Sequence, residues 1–291
     1  MTDAPKTKPN VRLGMHASLW GPSWTREVAE IAVPEAAKYG LQVIEVPLMD
    51  PDPVDAAHSR ALFEEYGITP TASLCLPFEV TAPHHPEKAE AFLMNALEKA
   101  HALGCDFFGG VTFSTLGWKS GSPPTETEYQ NILKALKPVA ARAADYGIRF
   151  GIEACNRYET HLINTAAQTV WFMDRLGAPN ATAHLDTYHM NIEEKGIGHG
   201  LRVAGDRCNY LHISESDRGV PGTGTIDWND VFRALAETDF KGDLVIESFV
   251  TLPPDIAAAL CVWRSVARDR YEILEKGVAY IQSLARVHGL I

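Results

Sequence analysis

One phrase recurs along the chain: the last turn of an amphipathic helix, a glycine, usually an apolar residue, then a short strand. AAKYGLQVIEV (36–46), FEEYGITPTASL (63–74), AHALGCDFFGGV (100–111) and AADYGIRFGIE (143–153) share it, and DRLGAPNATAHLD (174–186) and ETDFKGDLVIE (237–247) are looser versions. Glycine just past a helix end takes the left-handed conformation without a Cβ penalty, and the apolar residue after it packs back on the helix. With VRLGMHA at the start and CNYLHIS later, the phrase predicts strands at 11–17, 42–47, 70–75, 106–112, 148–153, 182–186, 208–213 and 243–247. Between them lie helical patterns such as EAFLMNALEKAHAL (90–103), apolar at i, i+3, i+4 and i+7. Strict alternation of strand and helix implies parallel strands joined by crossover helices. Eight such units in 291 residues fit a single-domain (β/α)8 TIM barrel over 11–291, preceded by a flexible tail at 1–10. An open doubly wound sheet is the rival, but GMHASLWGPSW after the first strand holds no GxGxxG.

Charge and composition narrow the function. A hydrophobic fraction of 46% is ordinary for a globular chain with a large core, and the formal charge of −11 disfavours nucleic acid and anionic membrane surfaces. The five cysteines are odd in number, far apart and free of any CxxC, which reads as reduced thiols in a cytoplasmic protein. No apolar run approaches a membrane span, and MTDAPKTKPN lacks the apolar centre of a signal peptide.

In such a barrel the active site lies at the carboxyl ends of the strands. Strands five to eight end in RFGIE, TAHLD, NYLHI and LVIE, which puts Glu153, Asp186, His212 and Glu247 at one level. By strand parity Ile152, Leu185, Leu211 and Ile246 face the helices and the four polar side chains face the barrel mouth. They can be separate residues in unrelated hydrogen bonds. Four in register instead point to a divalent cation, because converging buried carboxylates repel one another unless a positive charge joins them. Oxygen-rich ligation with one imidazole suits Mn²⁺, Mg²⁺ or Co²⁺ better than structural zinc.

GIEACNRYET, HLDTYHMNIEE, LHISESDRG and LVIESF resemble the motifs of the ketose 3-epimerases, the D-tagatose, D-allulose (D-psicose) and L-ribulose 3-epimerase group of sugar isomerase barrels. The likeness runs from about residue 11 and is densest over 150–250, with VIEVPLMDP (43–51) a weaker match. It implies one catalytic divalent ion, usually manganese, on Glu153, Asp186, His212 and Glu247. The implied reaction inverts C3 of free ketoses: D-tagatose/D-sorbose, D-fructose/D-allulose, L-ribulose/L-xylulose. Chemically, this needs a proton removed beside the C2 carbonyl and returned to the other face, through a cis-enediolate stabilised by a Lewis acid. Strands five and eight are roughly 135° apart around the axis, so Glu153 and Glu247 approach from different sides as an acid/base pair. The resemblance further implies substrate contacts from Glu159, His189 and Arg218, and a homodimer or homotetramer.

Other residues are read more blandly. His184 shares the inward parity one layer deeper, as a hydrogen-bonded core residue, and Glu193 and Glu194 fall in the first turn of a helix. GVPGTGTIDW (219–228) lacks a P-loop lysine and reads as a tight loop with Asp227 capping the next helix. Trp20 and Trp118 stand on loops where they can wall the distal sugar carbons or equally serve as lid packing or a subunit contact, and Glu45 points inward with no role beyond ionic support. The helix at 271–290 serves an interface or closes the barrel. Related chemistries on such a barrel are aldose–ketose isomerisation and keto-inositol dehydration. A multi-zinc, endonuclease IV-like repair enzyme would want more histidines and a basic groove.

Overall fold

A computed structural model describes residues 10–250 and 252–291. The expected tail lies outside them except for Asn10, whose carbonyl accepts from Gly242 N–H at 2.8 Å. Among the described residues eight parallel strands close in sequence order: β1 (Val11–His16), β2 (Val43–Pro47), β3 (Thr69–Cys75), β4 (Phe107–Val111), β5 (Arg149–Glu153), β6 (Ala181–Asp186), β7 (Cys208–Ile213) and β8 (Gly242–Ile246). β1 pairs with β8 as well as with β2, so the sheet has no free edge. Around it run α1 (Arg26–Lys38), α2 (Ala56–Tyr66), α3 (Pro86–Leu103), α4 (Glu126–Asp145), α5 (Ala166–Leu176), α6 (Thr187–Glu193), α7 (Ile197–Ala204) and α8 (Trp228–Glu237). α9 (Pro254–Leu260) follows β8, and α10 (Arg270–Glu272) passes through a π turn into α11 (Val278–Val287). No helix among the described residues is long and apolar enough to cross a membrane.

Local chemistry explains where the helices begin and end. Reciprocal capping boxes, Thr125 with Glu128 and Thr165 with Gln168, satisfy the first N–H groups of α4 and α5. Gly67 and Gly104 end α2 and α3 at φ 67° and 85°, as the recurrent phrase requires. In the looser version before β8, Asp239 takes the left-handed turn instead, at φ 51°. Val278, Ile281 and Ala285 are buried, so the C-terminal helix packs on the barrel beside α8.

Strand parity divides the interior as expected. Ile152, Leu185, Leu211 and Ile246 belong to the large core shared with the helices, while Val43, Phe107, Tyr210 and Val245 form a separate cluster inside the barrel. Beneath that cluster Arg12 binds Asp243 at 2.5 and 2.8 Å and Asp106 at 2.7 Å, and Arg149 joins both acids. Within the cluster, Phe107 and Tyr210 stack with centroids 3.6 Å apart. Gly109 and Gly151 make room for the Phe107 ring: a Cβ on either would come within 2.5 and 2.4 Å of Phe107 Cζ. One feature breaks the alternation. Ala183 pairs with Cys208 but His184 with Tyr210, so Asn209 is an extra residue that turns Cys208 outward and Tyr210 and His212 inward.

Gly151→Ala should overpack this plug and lower stability by about 1–3 kcal/mol, read as a drop in the urea midpoint at unchanged slope.

Candidate functional site

The structure brings Glu153, Asp186, His212 and Glu247 together at the carboxyl rim. They do not lie across from one another in the ladder: Glu153 faces His184, Asp186 faces His212, and Glu247 is one residue past β8. A closed barrel staggers its strands, and the stagger offsets these pairings. His212 is the hub. Its Nδ1 lies 3.3 Å from Glu153 Oε1, 3.8 Å from Asp186 Oδ2 and 3.8 Å from Glu247 Oε2. Asp186 also caps α6, accepting from Tyr188 N–H at 2.7 Å with Oδ1, and Ser214 donates to its Oδ2.

Glu45, fully buried on β2, orients the hub. Its Oε2 accepts from His212 Nε2 at 2.7 Å and from the Tyr210 hydroxyl at 2.6 Å. A carboxylate only accepts, so Nε2 carries the proton, and His212 Nδ1 is left buried with no hydrogen-bond partner.

Acids outnumber bases here. Burial, then the charge of Glu247, pushes Asp186 well above the usual carboxylate range; burial also raises Glu153. Glu247 resists its own burial because Arg218, His212 and His16 hold it down at about 2. His212 resists burial in the opposite sense, with Glu45 and Glu247 holding its proton on well above the ordinary value. An unpartnered imidazole nitrogen ringed by carboxylate oxygens fits a hard divalent cation. Asp186, His212 and Glu247 approach closely enough to share one, as do Glu153, His184 and His212. His184 is the weaker donor: its Nδ1 already accepts from Gly110 N–H at 3.2 Å, and its Nε2, which then carries the proton, has no partner.

Glu153, His212 and Glu247 line a cavity of about 310 Å3 with His16, Ser73 and Cys75; its outer wall is Met49, Leu116, Phe249, Leu252 and, from α9, Ile256 and Leu260. Trp20 and Trp118, expected as a substrate wall, stand outside it. Trp20 donates to Glu35 at 2.7 Å on α1, and Trp118 packs edge-on against His84 and His161. The wall comes from α9, a short helix outside the recurrent phrase that nothing in the spacing announced.

Glu159, His189 and Arg218 form a buried group beside the quartet. Arg218 takes a left-handed φ of 61°, donates to Glu247 at 2.6 Å, and lies over the Tyr188 ring at 4.2 Å. Such strain in a non-glycine residue is concentrated at functional sites. His189 stands in the first turns of α6, not on a loop, and its Nδ1 accepts from Asn156 N–H. Glu159 Oε2 and Arg218 Nε are buried without partners. Glu193 and Glu194 are a correction, because the helix starts directly at Thr187 and they fall at its end. Glu193 binds Arg157, and Glu194 accepts from Ala166 N–H at the start of α5. Asp227 does cap α8. The glycine-rich loop before it is organised by Glu215, unremarked in the sequence, which accepts from Ser216, Gly222 and Ile226 N–H and the Trp228 indole.

The family described as xylose isomerase-like TIM barrel matches residues 33–266. The chain is 38% identical to the L-ribulose 3-epimerase of Methylomonas sp. (strain DH-1), covering 92% of this chain and 96% of that one. It is 34% identical to the ketose 3-epimerase of Arthrobacter globiformis, covering 94% and 96%. The crystal structure of D-allulose 3-epimerase from Methylomonas sp. in complex with D-allulose superposes with a TM-score of 0.89 at 36% identity, over 94% of this chain and 96% of that one.

Glu215→Ala should strand four N–H donors and destabilise the fold by about 3 kcal/mol or more, measured by chemical denaturation. Although burial opposes it, the N–H donors hold the Glu215 carboxyl below its usual range, so its contribution is complete above about pH 4.3 and disappears as pH falls through the lower folded value. The gap between wild type and variant should therefore close in acid.

Proposed function

The chain belongs to the ketose 3-epimerases of the xylose isomerase-like TIM-barrel family, and on that premise we propose that it is a divalent-metal-dependent enzyme inverting C3 of free ketoses by proton exchange through an enediolate. One observation carries the mechanism: Glu153 and Glu247 are the carboxylates that line the cavity, on either side of His212. A ketose seated there has a carboxylate available to each face of C3. Before a cation enters, their environments differ, burial raising Glu153 while Arg218 holds Glu247 low. Glu153 and Glu247 form the acid/base pair, the one that takes a proton in one direction giving it in the other.

A divalent ion on Glu153, Asp186, His212 and Glu247, Mn²⁺ first with Co²⁺ or Mg²⁺ as alternatives, would supply Lewis-acid polarisation of the C2 carbonyl. Glu159, His189 and Arg218 are assigned to hydroxyls around C1 to C3. The unpartnered Glu159 Oε2 and Arg218 Nε support this. Ile256 and Leu260 of α9 are assigned as an apolar wall for the distal carbons. A homodimer or homotetramer belongs to the same reading, and light scattering after size exclusion checks it.

The direct test is a panel of D-tagatose, D-fructose and L-ribulose with chelated enzyme, reloaded with Mn²⁺, Co²⁺ or Mg²⁺. C3-inverted ketose and deuterium uptake at C3 are expected only after reloading. Aldose or dehydrated products, or full turnover by stripped enzyme, would overturn the proposal. Glu153→Gln and Glu247→Gln should each lower kcat by about 10²–10⁴-fold; near-native rates in both would remove the two-carboxylate mechanism. Because Asp186, Glu153 and His212 have raised pKa values before a cation enters, binding must release protons. Mn²⁺ affinity should therefore rise with pH through the neutral range, as followed by calorimetric titration.

A further inference from the structure

Glu45 is a fully buried carboxylate that the proton-transfer scheme does not use. It comes from β2 and touches the cluster through the Nε2 edge of the His212 ring. Its Oε2 is 2.7 Å from His212 Nε2, and its Oε1 has no hydrogen-bond partner, with His16 Nε2 3.8 Å away. The Tyr210 hydroxyl spends its single proton on the same Oε2, at 2.6 Å, and Thr71 Oγ1 completes that hydroxyl at 2.7 Å. Three strands thus converge to hold one carboxylate oxygen in place: Glu45 from β2, Thr71 from β3, Tyr210 and His212 from β7.

Imidazole can present either nitrogen as an acceptor, and only one tautomer puts a lone pair on Nδ1 toward the acids of β5, β6 and the end of β8. A carboxylate behind Nε2 selects that tautomer, fixes the ring plane and makes Nδ1 more basic. We propose that Glu45 is the positioning residue for His212, setting the tautomer and orientation with which the imidazole receives the divalent ion. This rests on the metal-dependent reading above. Glu45 acts through His212 and touches neither substrate nor the reacting carbon. Tyr210 and Thr71 hold the carboxylate but do not choose the tautomer.

The test uses Mn²⁺ alone, without sugar, titrated into chelator-treated full-length protein and followed by the electron paramagnetic resonance of free Mn²⁺. Glu45→Gln keeps the volume and removes the charge; Glu45→Asp keeps the charge and draws the carboxylate back by one methylene. Both should weaken Mn²⁺ about 10–100-fold, with far-ultraviolet dichroism unchanged. Tyr210→Phe, which deletes the other hydrogen bond to the same oxygen, should stay within about threefold of wild type. The visible bands of Co²⁺-loaded protein should shift in both Glu45 variants and hold in Tyr210→Phe. Wild-type affinity in Glu45→Asp, or an equal loss in Tyr210→Phe, overturns the assignment, and either readout decides it should the glutamine variant fail to fold. If wild type binds Mn²⁺ tightly, the variants lose it as expected and no ketose is epimerised, the positioning role stands and the substrate reading falls.

Discussion

Too much negative charge in too small a dry space is the constraint on which the rest of this molecule depends. Glu45, Glu153, Asp186 and Glu247 all come within reach of one imidazole, and all are buried or nearly so. Arg218, itself buried, can meet Glu247 and approach Asp186 and Glu159, but one guanidinium does not balance this group. The imbalance pushes the pKa values of Asp186, Glu153 and His212 upward. A divalent cation would do so with better geometry, and its chemistry is the chemistry that proton exchange beside a carbonyl needs.

Holding such a group together requires a scaffold that does not relax. The barrel supplies it in layers. At the amino-terminal end two arginines and two aspartates cross-link β1, β5, β8 and the residue before β4. The Phe107–Tyr210 stack fills the middle, with glycines opposite it because no side chain would fit. Tyr210 then links this plug to the rim, since its ring packs on Phe107 and its hydroxyl reaches Glu45. Packing in the apolar layer and orientation in the polar layer share that one side chain.

The cavity has two unlike walls. Glu153, His212 and Glu247 face it from the barrel, while Phe249, Leu252, Ile256 and Leu260 close it from the segment after β8. Polar groups converge on one side of the cavity and apolar groups cover the other, the usual division of a small-molecule pocket.

Much of this was legible in the sequence. The glycine-punctuated alternation located all eight strands within one residue of their ends, because helix termination and strand parity are local properties of the backbone. Parity also separated Glu153, Asp186, His212 and Glu247 from their outward-facing neighbours. The failures have another origin. Trp20 and Trp118 were placed by loop position alone, yet they pack on α1 and on His84 and His161, because a loop's path is set by what it covers. The α9 wall, the Asn209 bulge that turns Cys208 outward, the Glu215 loop anchor and the Glu45–His212 contact across 167 residues all depend on tertiary structure. Sequence alone decided the periodicity and which residues faced inward; only closure of the barrel decided which of them met, since strand stagger and side-chain reach are fixed by the whole ring.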